Sequence, residues 1–268
     1  MISPGAAARR VSAIARNTFV EAARNRAFLG LAVAAVALVA SSIVLSSLAL
    51  RDQMARVLVD FGLFSIGLLE VVIAVILGVI LVYKEIDRKT FYLILPKPIR
   101  RYEVLLGKFL GLLAVLAISL VVMGTAWVVS LAWRGVDIRL DMLKALPLVW
   151  MEAALVTSVA VFFSSFATPV MSGVFTLGVF IVGREVYLLR ELLGASKGML
   201  VRSGAARGLA EATVWAFPDL SVFDIGKEVI LNVPVGWGYV GWAGAYAAGY
   251  CVVFLALAAV VFERRDFV

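Results

Sequence analysis

Six apolar stretches, each long enough to cross about 30 Å of hydrocarbon, constrain this chain more than any other feature. In lipid every backbone polar group must be satisfied internally, which leaves helices and closed barrels. Continuous apolar runs of this length, without alternation, read as helices. They cover about 28–50, 58–83, 105–133, 146–167, 170–192 and 237–262. The expected fold is an all-α integral membrane protein with six transmembrane helices in a single transmembrane domain, residues 1–268. Composition agrees with a lipid solvent: 63% of the residues are hydrophobic and 16% are charged. A soluble domain carries about 25% charged residues, so this chain has too little charge to cover its apolar surface in water.

The first run is longer than a signal-peptide core and sits behind a leader, so it reads as a retained span despite a faint cleavage-like Ser47-Leu48-Ala49. In the leader, Val11, Ile14, Thr18, Phe19 and Ala22 share one helical face. Arg10, Asn17, Glu21 and Arg24 share the other. This pattern predicts an N-terminal amphipathic helix lying at the membrane interface, in contact with lipid.

Orientation follows from the basic residues. With the N-terminus inside, the inner side holds Arg9, Arg10, Arg16, Arg24 and Arg26, then a cluster from Lys84 to Lys108, then Arg264 and Arg265. The two short outer loops hold Arg51 and Arg56, then Arg134, Arg139 and Lys144. Both termini are therefore expected to be cytoplasmic. The basic residues lie in short clusters between apolar runs, the pattern of a protein meeting anionic headgroups and not nucleic acid. Lys108, at the start of the third span, is placed to snorkel. The segment 192–236 is too polar to span and too apolar for disorder, so short outer helices packed on the rim are expected before the last span.

The chain has no histidine and one cysteine, Cys251, which excludes an intrachain disulfide and a His/Cys metal site. No phosphate loop is present: Gly107-Lys108 is followed by Phe109, and no glycine stands five residues earlier. No cofactor is expected on this chain.

The loop between the second and third spans is the most informative stretch. Lys84-Glu85-Ile86-Asp87-Arg88-Lys89-Thr90-Phe91-Tyr92 favours a short helix, about 84–95, which Pro96 and Pro98 then stop. Arg100, Arg101 and Tyr102-Glu103 follow, and Leu106-Gly107-Lys108 opens the third span. Charge alone would make this an ordinary cytoplasmic loop.

Its arrangement resembles the signature of ABC-2 family permeases, the membrane subunits of ABC exporters. The residues that carry the resemblance are Glu85, Arg88, Thr90, Pro98, Arg101, Leu106, Gly107 and Lys108. Lys89 stands where glycine is common in that family, and Ile99 where small residues are usual. The whole-chain layout, down to a terminal Phe262-Glu263-Arg264-Arg265-Asp266-Phe267, is similar too. The resemblance implies that the loop is a cytoplasmic coupling helix seated on a separate ABC ATPase subunit. Glu85, Asp87, Arg88, Lys89, Thr90, Phe91, Tyr92, Pro98 and Arg101 would make that contact. It also implies two ATPase copies supplying ATP and Mg chemistry, a second permease copy forming a homodimer, no enzyme activity in this chain, and a bacterial or archaeal plasma membrane.

Away from the span ends, the charged residues at depth are Glu70, Glu152, Arg184 and Glu185, with Asp60 near the start of the second span. A charge at depth is costly and suggests a translocation path or a structural pair. Glu152 and Arg184 lie at matching depth and can pair, whereas Glu70 has no evident partner. Arg184 and Glu185 leave open whether the fifth span breaks early. An ion-coupled secondary transporter would use Glu70 and Glu152 as ion sites, and a membrane scaffold would transport nothing. Small-residue pairs such as Gly107/Gly111 and Ala245/Gly249 permit close helix contacts but are common by chance in so Gly- and Ala-rich a chain.

Overall fold

The computed structural model describes residues 4–50, 53–87, 101–194, 204–231 and 233–264. Helix α1 spans Pro4–Ala23 and α2 spans Arg26–Leu48, with Asn25 between them accepting the Ala27 N–H at 2.9 Å as an N-cap. Helix α3 spans Met54–Asp87 and α4 spans Arg101–Trp133. The one-turn α5, Leu140–Leu143, leads into α6, Ala145–Ser164. Pro169 opens α7, Pro169–Gly194, at a position where its missing N–H costs nothing. Then come α8 (Gly204–Ala216), a 3-10 turn (Leu220–Phe223), α9 (Gly226–Ile230) and α10 (Trp237–Arg264).

Six helices among the described residues are long and apolar enough to cross a membrane. The expected all-helical, six-span fold is thus the observed one. The fifth span does not break: α7 runs unbroken through Arg184 and Glu185.

Helices α3 and α6 form the centre of the bundle, and α2, α7 and α10 line its edge with apolar faces open. Leu58, Ile66, Ile73 and Leu77 of α3 meet Leu148, Leu155, Val159 and Ala160 of α6 within one buried core. Hydroxyls at mid-span answer to their own helices, as a lipid solvent requires. Ser42 donates to the Val39 carbonyl, Thr157 to Ala153, Ser158 to Leu155 and Thr176 to Ser172.

The leader forms helix α1, with Thr18 and Ala22 buried on the face that carries Val11, Ile14 and Phe19. That face lies against the first turns of α4. A Cβ on Gly107 would stand 2.7 Å from Ile14 Cβ, and one on Gly111 would stand 2.6 Å from the Ala15 carbonyl oxygen. Only glycine at both positions lets the two backbones approach so closely. The chance-level pair Gly107/Gly111 is therefore the seat of α1, whereas a Cβ on Gly249 would meet no atom within 4 Å.

At the opposite end of the bundle, the segment between α7 and α10 departs from the rim-packed expectation. Its middle inserts between the helices, burying Leu220, Phe223, Ile225 and Val229. Gly183 admits it: a Cβ there would lie 2.8 Å from the Pro218 carbonyl oxygen and 2.9 Å from Leu220 Cγ. Tyr239 donates to the Val222 carbonyl at 2.7 Å, and the Asp219 N–H donates to the Tyr246 hydroxyl at 2.7 Å. Lys144, at the α5–α6 corner, donates to the Val235 carbonyl at 2.6 Å and sits 5.3 Å from the Trp237 ring centroid. The segment is a plug anchored on both sides.

Candidate functional site

Two places gather the chain's chemistry, one at each end of the bundle.

At the plug end, Glu152 stands about 10 Å inside the start of α6 by helical rise. Its carboxylate accepts from Arg184 Nη1 of α7 at 3.1 Å. Arg184 Nη2 lies 3.3 Å from Asp224 Oδ2, on the plug between the 3-10 turn and α9. One guanidinium thus joins two spanning helices to the inserted segment. Glu152 is almost fully buried and Arg184 is one-third exposed. An unpaired carboxylate at that depth would cost several kcal/mol, about 3–5 once its partner is lost. Nearby, Arg190 Nη1 pairs with the buried Asp219 Oδ2 at 3.1 Å, fastening α7 to the plug a second time.

Beside this bridge is a cavity of about 230 Å3. Asp60, Glu152, Arg184 and Asp224 supply its polar wall, and Phe64, Phe180 and Phe223 its aromatic wall. The Arg184 guanidinium carbon lies 5.8 Å from the Phe180 ring centroid, within range of a cation–π contact.

Glu70 is fully buried near the middle of α3, and it does have a partner. Ser119 Oγ of α4 lies 3.0 and 2.9 Å from its two carboxyl oxygens and 2.9 Å from the Leu116 carbonyl. A hydroxyl carries one proton, so these acceptors share a single donor. No charge stands at Glu70's depth in the sequence, and its partner is a neutral serine in an apolar run. Ser119→Ala is expected to destabilise the bundle by about 2 kcal/mol, the cost of leaving a buried acceptor unserved. Glu70→Gln, which still offers an acceptor, is expected to cost less. Denaturation midpoints in detergent test the order, and an unchanged midpoint for Ser119→Ala would remove it as Glu70's support.

At the α1 end, Glu103 is 1% exposed and takes Arg10 of α1 in a two-point contact. Arg10 Nε donates to Glu103 Oε2 at 2.9 Å and Arg10 Nη2 to Oε1 at 2.8 Å. Periodicity placed Arg10 on the solvent face, but the long side chain reaches across to α4. Lys108 is 5% exposed, so it is enclosed at the start of its helix and does not snorkel. Glu85 and Asp87 lie in the last turn of α3 and Arg101 begins α4, so residues 84–87 prolong the second span instead of opening a separate helix. Arg88, Lys89, Thr90, Phe91, Tyr92 and Pro98 lie outside the described residues.

Of the intramembrane candidates, then, the fold brings Glu152 and Arg184 together and keeps Glu70 apart with Ser119. Glu185 faces outward from α7, away from both sites. Asp60, Ser119, Asp224, Arg10 and Glu103 were not singled out as functional from the sequence. Asp60 alone carried a usable signal, as a carboxylate just inside the second apolar run.

A family model described as "ABC-2 family transporter protein" matches residues 12–189, two-thirds of the chain. The matched region runs from α1 to the last turns of α7 and stops short of the plug. A search of curated proteins found no match.

Proposed function

The chain belongs to the ABC-2 transporter family and is a membrane permease of an ABC transporter; from that premise we propose that it is the permease half of an exporter, driven by a separate ATPase docked on the loop between α3 and α4. Membership implies association with an ABC ATPase and, typically, a dimeric arrangement. Two permease copies and two ATPase copies are the proposed assembly, with both termini and the loop on the cytoplasmic side.

The observation that carries the coupling is the length and bracing of the two helices that bear the loop. Helix α3 has 34 residues and α4 has 33, whereas about 20 suffice to span hydrocarbon. Each continues four residues beyond its apolar run as a helical stalk, to Asp87 in α3 and from Arg101 in α4, so both described ends of the loop leave from helix. α1, clasped to α4 through Gly107, Gly111 and the Arg10–Glu103 pair, braces one of them. Of the two stalks, α3 is also a central helix of the bundle. A push on the loop is thereby carried to Glu70 and Asp60, and ATP-driven closure of the ATPases would bias the permease between two states.

Thr90→Ala and Arg101→Ala test the reading. The permease would be co-purified and co-reconstituted with its partner ABC ATPase. An interfacial arginine removed to alanine costs about 2 kcal/mol or more, so ATPase affinity should fall roughly thirtyfold. Cargo movement would fall with it, while the permease stays folded and monodisperse. Wild-type permease that moves cargo with no ATPase present would overturn the proposal.

A further inference from the structure

A groove of about 670 Å3 lies between α4 and α6, in the half of the bundle nearer the plug. Ala117, Val121 and Val129 of α4 form one wall, Leu146 and Trp150 of α6 the other, and Leu143 of α5 lines the plug end. Gly124 belongs to the floor, where a Cβ would stand 3.1 Å from Leu146 Cδ1. The polar atoms of the lining are already served by the protein. Thr125 Oγ1 donates to the Val122 carbonyl at 2.9 Å, and Trp150 Nε1 donates to the Leu113 carbonyl at 3.2 Å. What is left open is apolar, so the groove takes a hydrocarbon.

Length and level narrow the occupant. From Ala117 to Val129 the groove follows α4 for about 18 Å by helical rise, close to the ~15 Å of hydrocarbon in a single leaflet. Trp133, about 6 Å beyond Val129 on the same helix, and Trp237 at the start of α10 are exposed at the plug end, as side chains at headgroup level are. A spanning helix from a second copy would need a seam through both leaflets, and this groove serves one. At its plug end, the connection 134–144 carries Arg134, Arg139 and Lys144 against Asp137 and Asp141. That net positive charge at headgroup level complements an anionic headgroup.

We propose that this groove binds an anionic phospholipid of the plug-side leaflet, with one acyl chain between α4 and α6 and the headgroup at Arg139. The site is apart from the Arg184 bridge and from the loop between α3 and α4, and its occupation needs no ATPase. A bound chain would fill the space beside Trp150 and Leu146, and so hold the plug-side half of α4 against α6.

The test is native mass spectrometry of the full chain from mixed micelles holding equal amounts of phosphatidylglycerol and phosphatidylcholine. The wild-type chain is expected to retain one phospholipid per copy, with phosphatidylglycerol preferred about fivefold, the scale of one basic residue near a lipid surface. Ala117→Phe/Thr125→Phe fills the groove and should cut retention about tenfold, through the packing contacts it withdraws. Val253→Phe, on the open face of α10, should leave retention unchanged. Arg139→Gln should erase most of the headgroup preference, a readout that does not depend on how the filled variant folds. No retained lipid, or equal retention of the two lipids, would overturn the proposal. So would a folded filled-groove variant that keeps its lipid, including one that instead loses its partner copy. A preference that survives Arg139→Gln would also overturn it. Loss of ATPase docking by Arg101→Ala leaves lipid retention intact, so the coupling proposal and the lipid site fail separately.

Discussion

Replacing Gly111 with leucine is expected to lift α1 off α4 and to speed tryptic cleavage after Arg16 and Arg24 about a hundredfold. The contact tolerates no side chain. Even a Cβ at Gly111 would stand 2.6 Å from the Ala15 carbonyl oxygen and 2.7 Å from Thr18 Cβ. The first obstacle is backbone, which cannot turn aside as a flexible side chain would. Overpacking a close contact costs about 1–3 kcal/mol, and a leucine here belongs at the upper end. About 3 kcal/mol shifts the docked–undocked balance roughly a hundredfold. Cleavage follows the open population when docking is fast relative to proteolysis. Gly249→Leu is the control, because its Cβ meets nothing within 4 Å and it should leave cleavage unchanged. Glu103→Gln should loosen α1 less, since it keeps the packing and loses only the charge facing Arg10. If Gly111→Leu left the protease pattern as in wild type, α1 would not be held by this seam. The same variant should also weaken ATPase stimulation, because α4's first turns and the loop before them lose their brace.

The spans were legible because lipid removes nearly every alternative to a helix. The Glu152–Arg184 pair was legible for a similar reason: few charges lie at depth, and counting along the helices puts these two level. Asp224 was not, because it lies on a segment with no strong periodicity, and nothing in its sequence shows that it enters the bundle. Its route depends on Gly183, whose bare backbone lets Pro218 and Leu220 approach. Arg10 was misplaced because periodicity fixes where a side chain leaves the helix, not where a long one ends. Ser119 was overlooked because a neutral hydroxyl in an apolar run usually bonds to its own helix, as Ser42 and Thr157 do. The motif around Gly107 pointed to the family, but its packing role needed the structure: the glycine that marks the start of the third span is also where α1 docks.

The second large effect is expected at the bridge. Arg184→Met should open the plug end, and adding Glu152→Gln should close it again. Methionine takes the counter-charge from both Glu152 and Asp224 at once, but the two losses are unequal. Asp224 is half exposed and can be solvated, so its share is small. Glu152 is almost wholly enclosed, and its carboxylate is left in a low-dielectric interior with no counter-charge. Breaking a buried pair in this way costs about 3–5 kcal/mol, and the one-third exposure of Arg184 puts this case near 3. The cheapest relief is for the plug to withdraw and admit water to Glu152. Leu220→Cys, in a Cys251→Ala background, reports that withdrawal, because Leu220 is fully buried when the plug is seated. Maleimide labelling at position 220 should speed up on the order of a hundredfold in Arg184→Met. Asp224→Asn should raise it only slightly. The double variant Glu152→Gln/Arg184→Met should return close to the parent rate, because an ion pair replaced on both sides leaves no buried charge. If the double variant labelled as fast as Arg184→Met alone, the plug would be held by the guanidinium's own reach to Asp224, and Glu152 would have no part in closing it.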